Sequence, residues 1–372
     1  MAARQIVIVG GGFAGAKCAR VLSKELAESE AELVLFSREN HLVFSPLLAD
    51  AVGSSISLLD VVVPLRKLLP RVHCRTEEAQ RILPESSEIE YEGHDGKLCR
   101  MHYDQLVVAC GTIANLNAVP GMADHGFPLK TVGDVAVLRA HILEQLERAE
   151  VCDDPLRRMW YLSFVVVGGG YSGVEVAGEI NDLVRSSVRF FKNVHKEDVR
   201  VTLIHSGHQL LPEIGDALRE FARAKMEEAG VRVLLNSRVQ MATPEGVGIQ
   251  NGPFVPGATV VCTVGTSVSP MIEKLDVPKE RGRLLTQPDM RLLKSANIWA
   301  VGDCACVTNG HDGKPCPPTG QFAERQGRQC ADNIARVLRK LPTHPFSFRP
   351  LGPRGSNGGH SAVAEMLGFR LS

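Results

Sequence analysis

Two stretches of the chain repeat one another. Residues 6–15 read IVIVGGGFAG and residues 164–173 read FVVVGGGYSG. Each is a short apolar, β-branched run, then glycines, then a small-residue segment suited to a helix: AKCARVL in the first copy, VEVAGEI in the second. The apolar run suits a strand buried on both faces of a parallel sheet. Each glycine set fits G-x-G-x-x-G, at Gly10, Gly12 and Gly15 and again at Gly168, Gly170 and Gly173. The first glycine allows a tight strand-to-helix turn, the second lets the backbone approach a pyrophosphate, and the third lets helix and strand pack closely. An anion there lies on a helix N-terminus, where unpaired N–H groups and the helix dipole favour it. A single match is weak evidence, because ordinary α/β domains also use glycine-rich turns. Two matches, each behind a buried strand, are much stronger.

A second element repeats as well. YDQLVVACGT (103–112) and GATVVCTVGT (257–266) are apolar strands closing on Gly111-Thr112 and Gly265-Thr266. A third apolar strand, NIWAVGDCA (297–305), ends in Gly302-Asp303 after the second repeat has closed. This order predicts an α/β chain of two Rossmann-like dinucleotide-binding domains, the second inserted into the first. The first is expected over 1–125 and 285–345 and the second over 155–275. VGDVAVLRAHILEQLERAE (132–150) would be a connecting helix, and 346–372 a truncated C-terminal segment.

At 372 residues the chain has room for two or three such domains. Lys+Arg and Asp+Glu are equal at 42 each, which argues against nucleic acid as a partner. The N-terminus enters a strand without a signal-peptide pattern, and no apolar run reaches the ~18 residues of a spanning helix. A cytoplasmic protein is therefore expected. The ten cysteines contain no C-x-x-C, only the C-x-C of Cys304 and Cys306, and read as reduced structural residues. The histidines do not fall at metal-ligand spacing, so no metal is expected, and no G-x-S-x-G nucleophile motif occurs. That absence fits an enzyme whose reactive atoms belong to its cofactors.

With these residues in view, the chain resembles the flavoproteins with two dinucleotide-binding domains. Within them it is similar to the type II NADH dehydrogenases. The likeness is carried by NHLVFSPLL (40–48), GGGYSGVEVAGEI (168–180), NIWAVGDCA and PPTGQFAERQG (317–327), and runs over about 4–370. The resemblance implies FAD on the first glycine loop. There it implies cofactor contacts from Gly10, Gly12, Phe13, Ala14 and Gly15, with Pro46, Gly111 and Thr112. Asp303 of the Gly-Asp turn would meet the ribityl and pyrophosphate region, with Gln321 and Phe322 beside it. It implies NADH or NADPH as substrate on the second loop, against Gly168, Gly170, Gly173, Glu175, His205 and Gly265. NAD(P)H would deliver hydride to the flavin, which passes two electrons to a quinone of a respiratory chain.

Departures from the family pattern are as informative. An acid usually ends the second strand of each unit and grips a ribose hydroxyl. Those places hold Ser37, followed by Arg38, which could stack on adenine, and His205. A neutral imidazole can hydrogen-bond a 2′-hydroxyl and a protonated one can meet a 2′-phosphate, so NADH and NADPH both stay open. Glu175 would position the nicotinamide or assist protonation, or else only complement a helix N-terminus; Glu179 reads as structural. The superfamily's C-x4-C dithiol is absent, since Cys18 is followed by Ser23 at the partner position. Cys110, Cys152 and Cys316 are candidates for sulfide:quinone chemistry, which the intact second glycine loop disfavours.

The family's A-Q-x-A-x-Q pattern beside the flavin reads Gly320-Gln321-Phe322-Ala323-Glu324-Arg325. Gln321 is kept, while Arg325 replaces the second glutamine and would donate to quinone or flavin, or lie solvated beside Glu324. Gln326 cannot stand in, because one residue turns a helix by ~100°. The expected function is an FAD-dependent NAD(P)H:quinone oxidoreductase with Glu175, Gln321 and Arg325 as catalytic candidates. The alternatives are a soluble reductase for a ferredoxin- or rubredoxin-like acceptor and a slow redox-sensing flavoprotein. Peripheral attachment at the cytoplasmic face of the inner membrane would be weakened by the short C-terminus, where GPRGSNGG (352–359) reads as a loose loop. A homodimer stays open.

Overall fold

A computed structural model describes residues 3–212 and 214–349, with the backbone of 354–356, 362–366 and 369–371. The elements that build the nucleotide units are, in chain order, β1 (Arg4–Val9), α1 (Phe13–Glu25), β2 (Ala31–Phe36), α2 (Leu48–Gly53), β3 (His73–Arg75), β4 (Gln105–Val108), β5 (Phe127–Pro128) and α3 (Val132–Glu150). They continue with β6 (Ser163–Val167), α4 (Tyr171–Ser187), β7 (Arg200–Ile204), β8 (Val231–Leu234), β9 (Thr259–Cys262), β10 (Ile298–Ala300) and α5 (Gly320–Leu338).

The chain divides into two compact units. The first, over 3–43, 62–113 and 267–349, holds a parallel sheet in the order β10-β4-β1-β2-β3. Its central strands are the β-branched runs expected to be buried on both faces: Ile6, Val7, Ile8, Leu106, Val107 and Val108 are fully buried. α1 lays Ala14, Cys18, Ala19 and Leu22 into the core, an i, i+4 stripe. α5 packs across α1, where a side chain on Gly327 would run into the Ala14 carbonyl. Only glycine permits that approach.

The second unit, over 44–61 and 114–266, holds a parallel sheet in the order β5-β9-β6-β7-β8. The two sheets have one topology, with the strand pairs β1/β6, β2/β7, β3/β8 and β4/β9 in corresponding places. They differ in where the fifth strand comes from. In the first unit it is β10, supplied after the second unit closes; in the second it is β5, supplied before β6.

The compact units differ from the expected domains, 1–125 with 285–345 and 155–275, in four stretches, one of them 126–154, the expected connector, which lies within the second unit. Residues 44–61 join the second unit because α2 packs on α3 and α4. Residues 114–125 join it because Val119 and Met122 bury in its core. Residues 267–284 join the first because Val268, Met271, Ile272, Leu275 and Leu284 bury there. α3 opens with a reciprocal cap, in which Thr131 Oγ1 accepts from Asp134 N–H and the Asp134 carboxylate accepts from Thr131 N–H.

Of the C-terminal segment expected over 346–372, Phe346 and Phe348 pack on Phe322. The backbone of 354–356, 362–366 and 369–371 pairs as antiparallel strands. Residues 354–356, expected in a loose loop, are therefore strand, and 352–353 and 357–359 lie outside the described residues. Among the described residues no helix is long and apolar enough to cross a membrane.

Candidate functional site

Each unit carries a cradle where its first strand turns into its first helix. In the first, Gly10 stands at φ +114°, and an added Cβ would reach within 2.7 Å of Cys110 Cα. Its N–H donates to Phe36 O at 2.8 Å, tying the turn to β2. Gly12 is the α1 N-cap, and a Cβ there would meet nothing within 4 Å. Gly15 is the opposite case, since its Cβ would collide with the Gly10 carbonyl. α1 has no side-chain cap and no acid in its first turn. A helix N-terminus of that kind, with its N–H donors and positive dipole end, fits a pyrophosphate.

The second cradle repeats this residue for residue. Gly168 stands at φ +124°, Gly170 is the open N-cap of α4, and a Cβ on Gly173 would collide with the Gly168 carbonyl. α4 likewise has no side-chain cap and no acid in its first turn. Thr263 Oγ1 donates to Val167 O at 3.0 Å, fastening β9 to the turn. Gly111 and Gly265, which close the fourth strand of each unit, stand at φ +61° and +72°.

The strand-end residues are engaged differently. Ser37 Oγ donates to Glu39 O at 2.8 Å, so its hydroxyl serves the local turn rather than standing out as a ribose ligand. Arg38 is exposed and lies 3.6 Å from Glu78. His205 Nδ1 accepts from Gly169 N–H at 3.1 Å. The neutral ring therefore carries its proton on Nε2, while a doubly protonated ring would face Gly169 donor to donor.

The Gly302-Asp303 turn, with Gly302 at φ +77°, is braced by two residues the sequence reading did not place there. Gln326 is buried, and its Oε1 accepts from Gly302 N–H at 2.7 Å. Arg283 Nε donates to Asp303 O at 3.1 Å, and its NH2 group donates to Ala305 O and to Cys316 O. The ~100° helical offset that removes Gln326 from the family's glutamine position is what aims it at this turn. Gln321 and Asp303 are both half-buried. Phe322 is a core ring, edge-on to Phe348 at 5.2 Å. Arg325 is exposed, with its guanidinium carbon 5.5 Å from the Phe348 ring centre. Glu324 pairs with Lys17 at 2.7 Å, which holds its carboxyl below the usual range.

On α4, Glu175 is half-buried and Glu179, one turn on, is buried at 1% exposure. Ser55 Oγ donates to Glu179 Oε2 at 2.9 Å, while Oε1 has no hydrogen-bond partner among the described residues. Burial pushes this carboxyl up to about 7, with Asp50 and Asp182 adding to the shift. A Cβ on Gly53 would collide with the same carboxylate, so α2 approaches closely there. Pro46 lies exposed in the 3-10 turn Ser45–Leu47 that leads into α2. At the end of α5, Arg336 donates to Pro342 O and Arg339 to Glu25 O.

Comparison with known proteins agrees with this geometry. The chain is 28% identical over 97% of its length, and 77% of the relative's, to an internal alternative NAD(P)H-ubiquinone oxidoreductase A1 of Solanum tuberosum mitochondria. It is 26% identical over 98% of its length, and 90% of the relative's, to a type II NADH:quinone oxidoreductase of Staphylococcus aureus. Its fold superposes with TM-score 0.90 on NDH2 of Plasmodium falciparum, solved in complex with NADH, at 18% identity over 99% of this chain and 91% of that one. The model of the pyridine nucleotide-disulphide oxidoreductase family matches residues 4–327, and the chain belongs to that family.

Proposed function

We propose that the protein is an FAD-dependent NAD(P)H:quinone oxidoreductase of the type II kind. The observation that supports this most is the pair of complete cradles. Each has an open N-cap glycine, at Gly12 or Gly170, and a crowded third glycine, at Gly15 or Gly173. One bound dinucleotide would make a binding module; two make an oxidoreductase with a donor and a resident acceptor. The relatives named above as NAD(P)H-ubiquinone and NADH:quinone oxidoreductases support the same pairing.

The first cradle would hold FAD, with Asp303 presented by the turn that Gln326 and Arg283 brace. The second would hold the nicotinamide nucleotide, with His205 at its ribose. Hydride transfer and electron release to quinone are the chemistry those cofactors supply when bound. The chain's part is to bind, orient and exclude water. Glu175 would orient the nicotinamide, and Gln321 and Arg325 would face the acceptor. NADH is the favoured donor, because the cation that would attract a 2′-phosphate at His205 forfeits the Gly169 hydrogen bond. Quinones partition into lipid, so the proposal includes peripheral association with a membrane.

The test is stopped-flow mixing. NADH should bleach the flavin band, NADPH should do so more slowly, and ubiquinone-1 or menadione should restore it. A reduced flavin that ignored both quinones would overturn the reading.

A further inference from the structure

The segment that follows α5 returns along the first unit as a strap, fastened largely by side chains. Asn309 Nδ2 donates to Phe348 O at 2.9 Å, and Asn309 Oδ1 accepts from Phe348 N–H at 2.9 Å. Asn333 makes the same pair of bonds with His344, both at 2.9 Å. Between them, Phe346 N–H donates to Pro288 O at 2.8 Å and Phe346 O accepts from Gly310 N–H at 2.9 Å. Alternate residues are thus held by both backbone groups, as an edge strand is held by its neighbour. A side-chain amide can take the neighbour's place because it carries a donor and an acceptor side by side. Both asparagines are buried, at 2% and 0% exposure, so a strap that pulled away would leave their amides unpaired at a cost.

The strap carries two rings to α5. Phe346 is buried, and Phe348 stands edge-on to Phe322 at 5.2 Å. Phe348 is the outer, half-buried ring, and the Arg325 guanidinium carbon lies over it, 5.5 Å from its centre. The adjacent acid does not compete for that cation, because Glu324 is paired with Lys17 at 2.7 Å. An aromatic face attracts a guanidinium and suits its planar shape.

We propose that Phe348 is a positioning residue for Arg325 and that Asn309 is the clamp that keeps the ring in place. This deepens the quinone reading and rests on Arg325 facing the acceptor. A free arginine side chain samples many rotamers, and an acceptor that binds it must order it. Against Phe348 the guanidinium is ordered in advance, so the acceptor meets a cation already in place. The contact acts on binding and takes no part in electron transfer. Its loss should therefore raise KM for the acceptor and spare kcat.

The probe is ubiquinone-1, with FAD-loaded full-length protein and excess NADH. Phe348→Leu keeps an apolar side chain against Phe322 and removes the aromatic face. Its KM for ubiquinone-1 should rise about threefold, the worth of an exposed cation–π contact, with kcat unchanged. Phe348→Tyr should keep the wild-type KM. Asn309→Leu should match Phe348→Leu, and the Phe348 variants carry the test if Asn309→Leu does not fold. In an Arg325→Met background, Phe348→Leu should add nothing further, because the ring acts only through the guanidinium. An unchanged KM in Phe348→Leu, or the same rise in the Arg325→Met background, would overturn the proposal while leaving the quinone reading intact. Wild-type flavin that NADH bleaches and ubiquinone-1 fails to restore would overturn the quinone reading, and this proposal with it.

Discussion

The two units share a sheet order and a glycine cradle, yet the helices that leave those cradles carry opposite chemistry. Counting from the third glycine, Gly15 or Gly173, position +2 is Lys17 in the first unit and Glu175 in the second; position +6 is Val21 and Glu179. Lys17 is neutralised by Glu324, and Val21 packs against the core. The second helix instead carries two carboxyls on one face, the inner of them buried with an oxygen that has no hydrogen-bond partner among the described residues. The backbone device is therefore common property, while the side chains one and two turns along decide what each helix can do beyond binding an anion.

The sharpest way to break the pairing is at the third glycine. Gly15→Ala and Gly173→Ala each place a methyl against a backbone carbonyl that cannot rotate away. Overpacking of that kind costs about 3 kcal/mol at the upper end, roughly a 150-fold loss of affinity. Gly15→Ala should strip the yellow colour. Gly173→Ala should keep it and raise the NADH Kd by that factor, read by flavin absorbance and by NADH titration. Equal loss of flavin in both variants would show that the cradles are not separate.

Glu179 separates the units on a pH axis. Its carboxyl stands near 7 in the folded protein, raised from the ordinary carboxylate value of 4.5. A raised pKa means the native state binds the proton more tightly. The associated stability is complete below about 4.5 and is lost as pH rises through about 7. Glu179→Gln removes the titration. Between pH 5.5 and 8.5 the wild type should lose about 2 kcal/mol relative to the variant, measured by urea unfolding with excess FAD. Parallel curves would refute the buried-acid reading. The matching Val21 has no such dependence to remove.

Gln326 tests the brace under the Gly-Asp turn. Gln326→Leu leaves Gly302 N–H buried without its acceptor, a cost of about 1–2 kcal/mol. FAD affinity should fall by roughly tenfold while NADH binding to the second unit holds. A fall in both would assign Gln326 to general packing.

How much of this was legible in the sequence follows from what each signal encodes. The apolar runs before Gly10 and Gly168 specify strands buried on both faces, and the glycine spacing specifies the turns, so both sheets could be read locally. The fifth strand of the first unit was read from NIWAVGDCA, but that of the second could not be assigned by pattern. β5 is the two-residue Phe127–Pro128, too short to show a period, and its place depends on pairing with β9 far along the chain. The braces were hidden for a related reason. Gln326 and Arg283 act on a turn that lies 24 and 20 residues away from them in sequence, and nothing in either segment names that turn. Helical offset placed Gln326 off the expected face but could not say what it would meet.

The smallest expected effect concerns the two strand ends, where Ser37 and His205 replace the usual acid. Ser37 spends its hydroxyl on Glu39 O, whereas His205 accepts from Gly169 N–H in its own cradle. A Cβ on Gly169 would fall 2.6 Å from His205 Cγ, so ring and loop fit together as one surface. His205→Asp substitutes an acceptor that can bind a ribose 2′-hydroxyl but repels a 2′-phosphate. The ratio of kcat/KM for NADH over NADPH should rise by about tenfold, roughly 1.4 kcal/mol. Ser37→Asp lies in the first unit, proposed to hold FAD, and should leave that ratio unchanged. If Ser37→Asp moved the ratio and His205→Asp did not, the cofactors would be assigned to the wrong cradles.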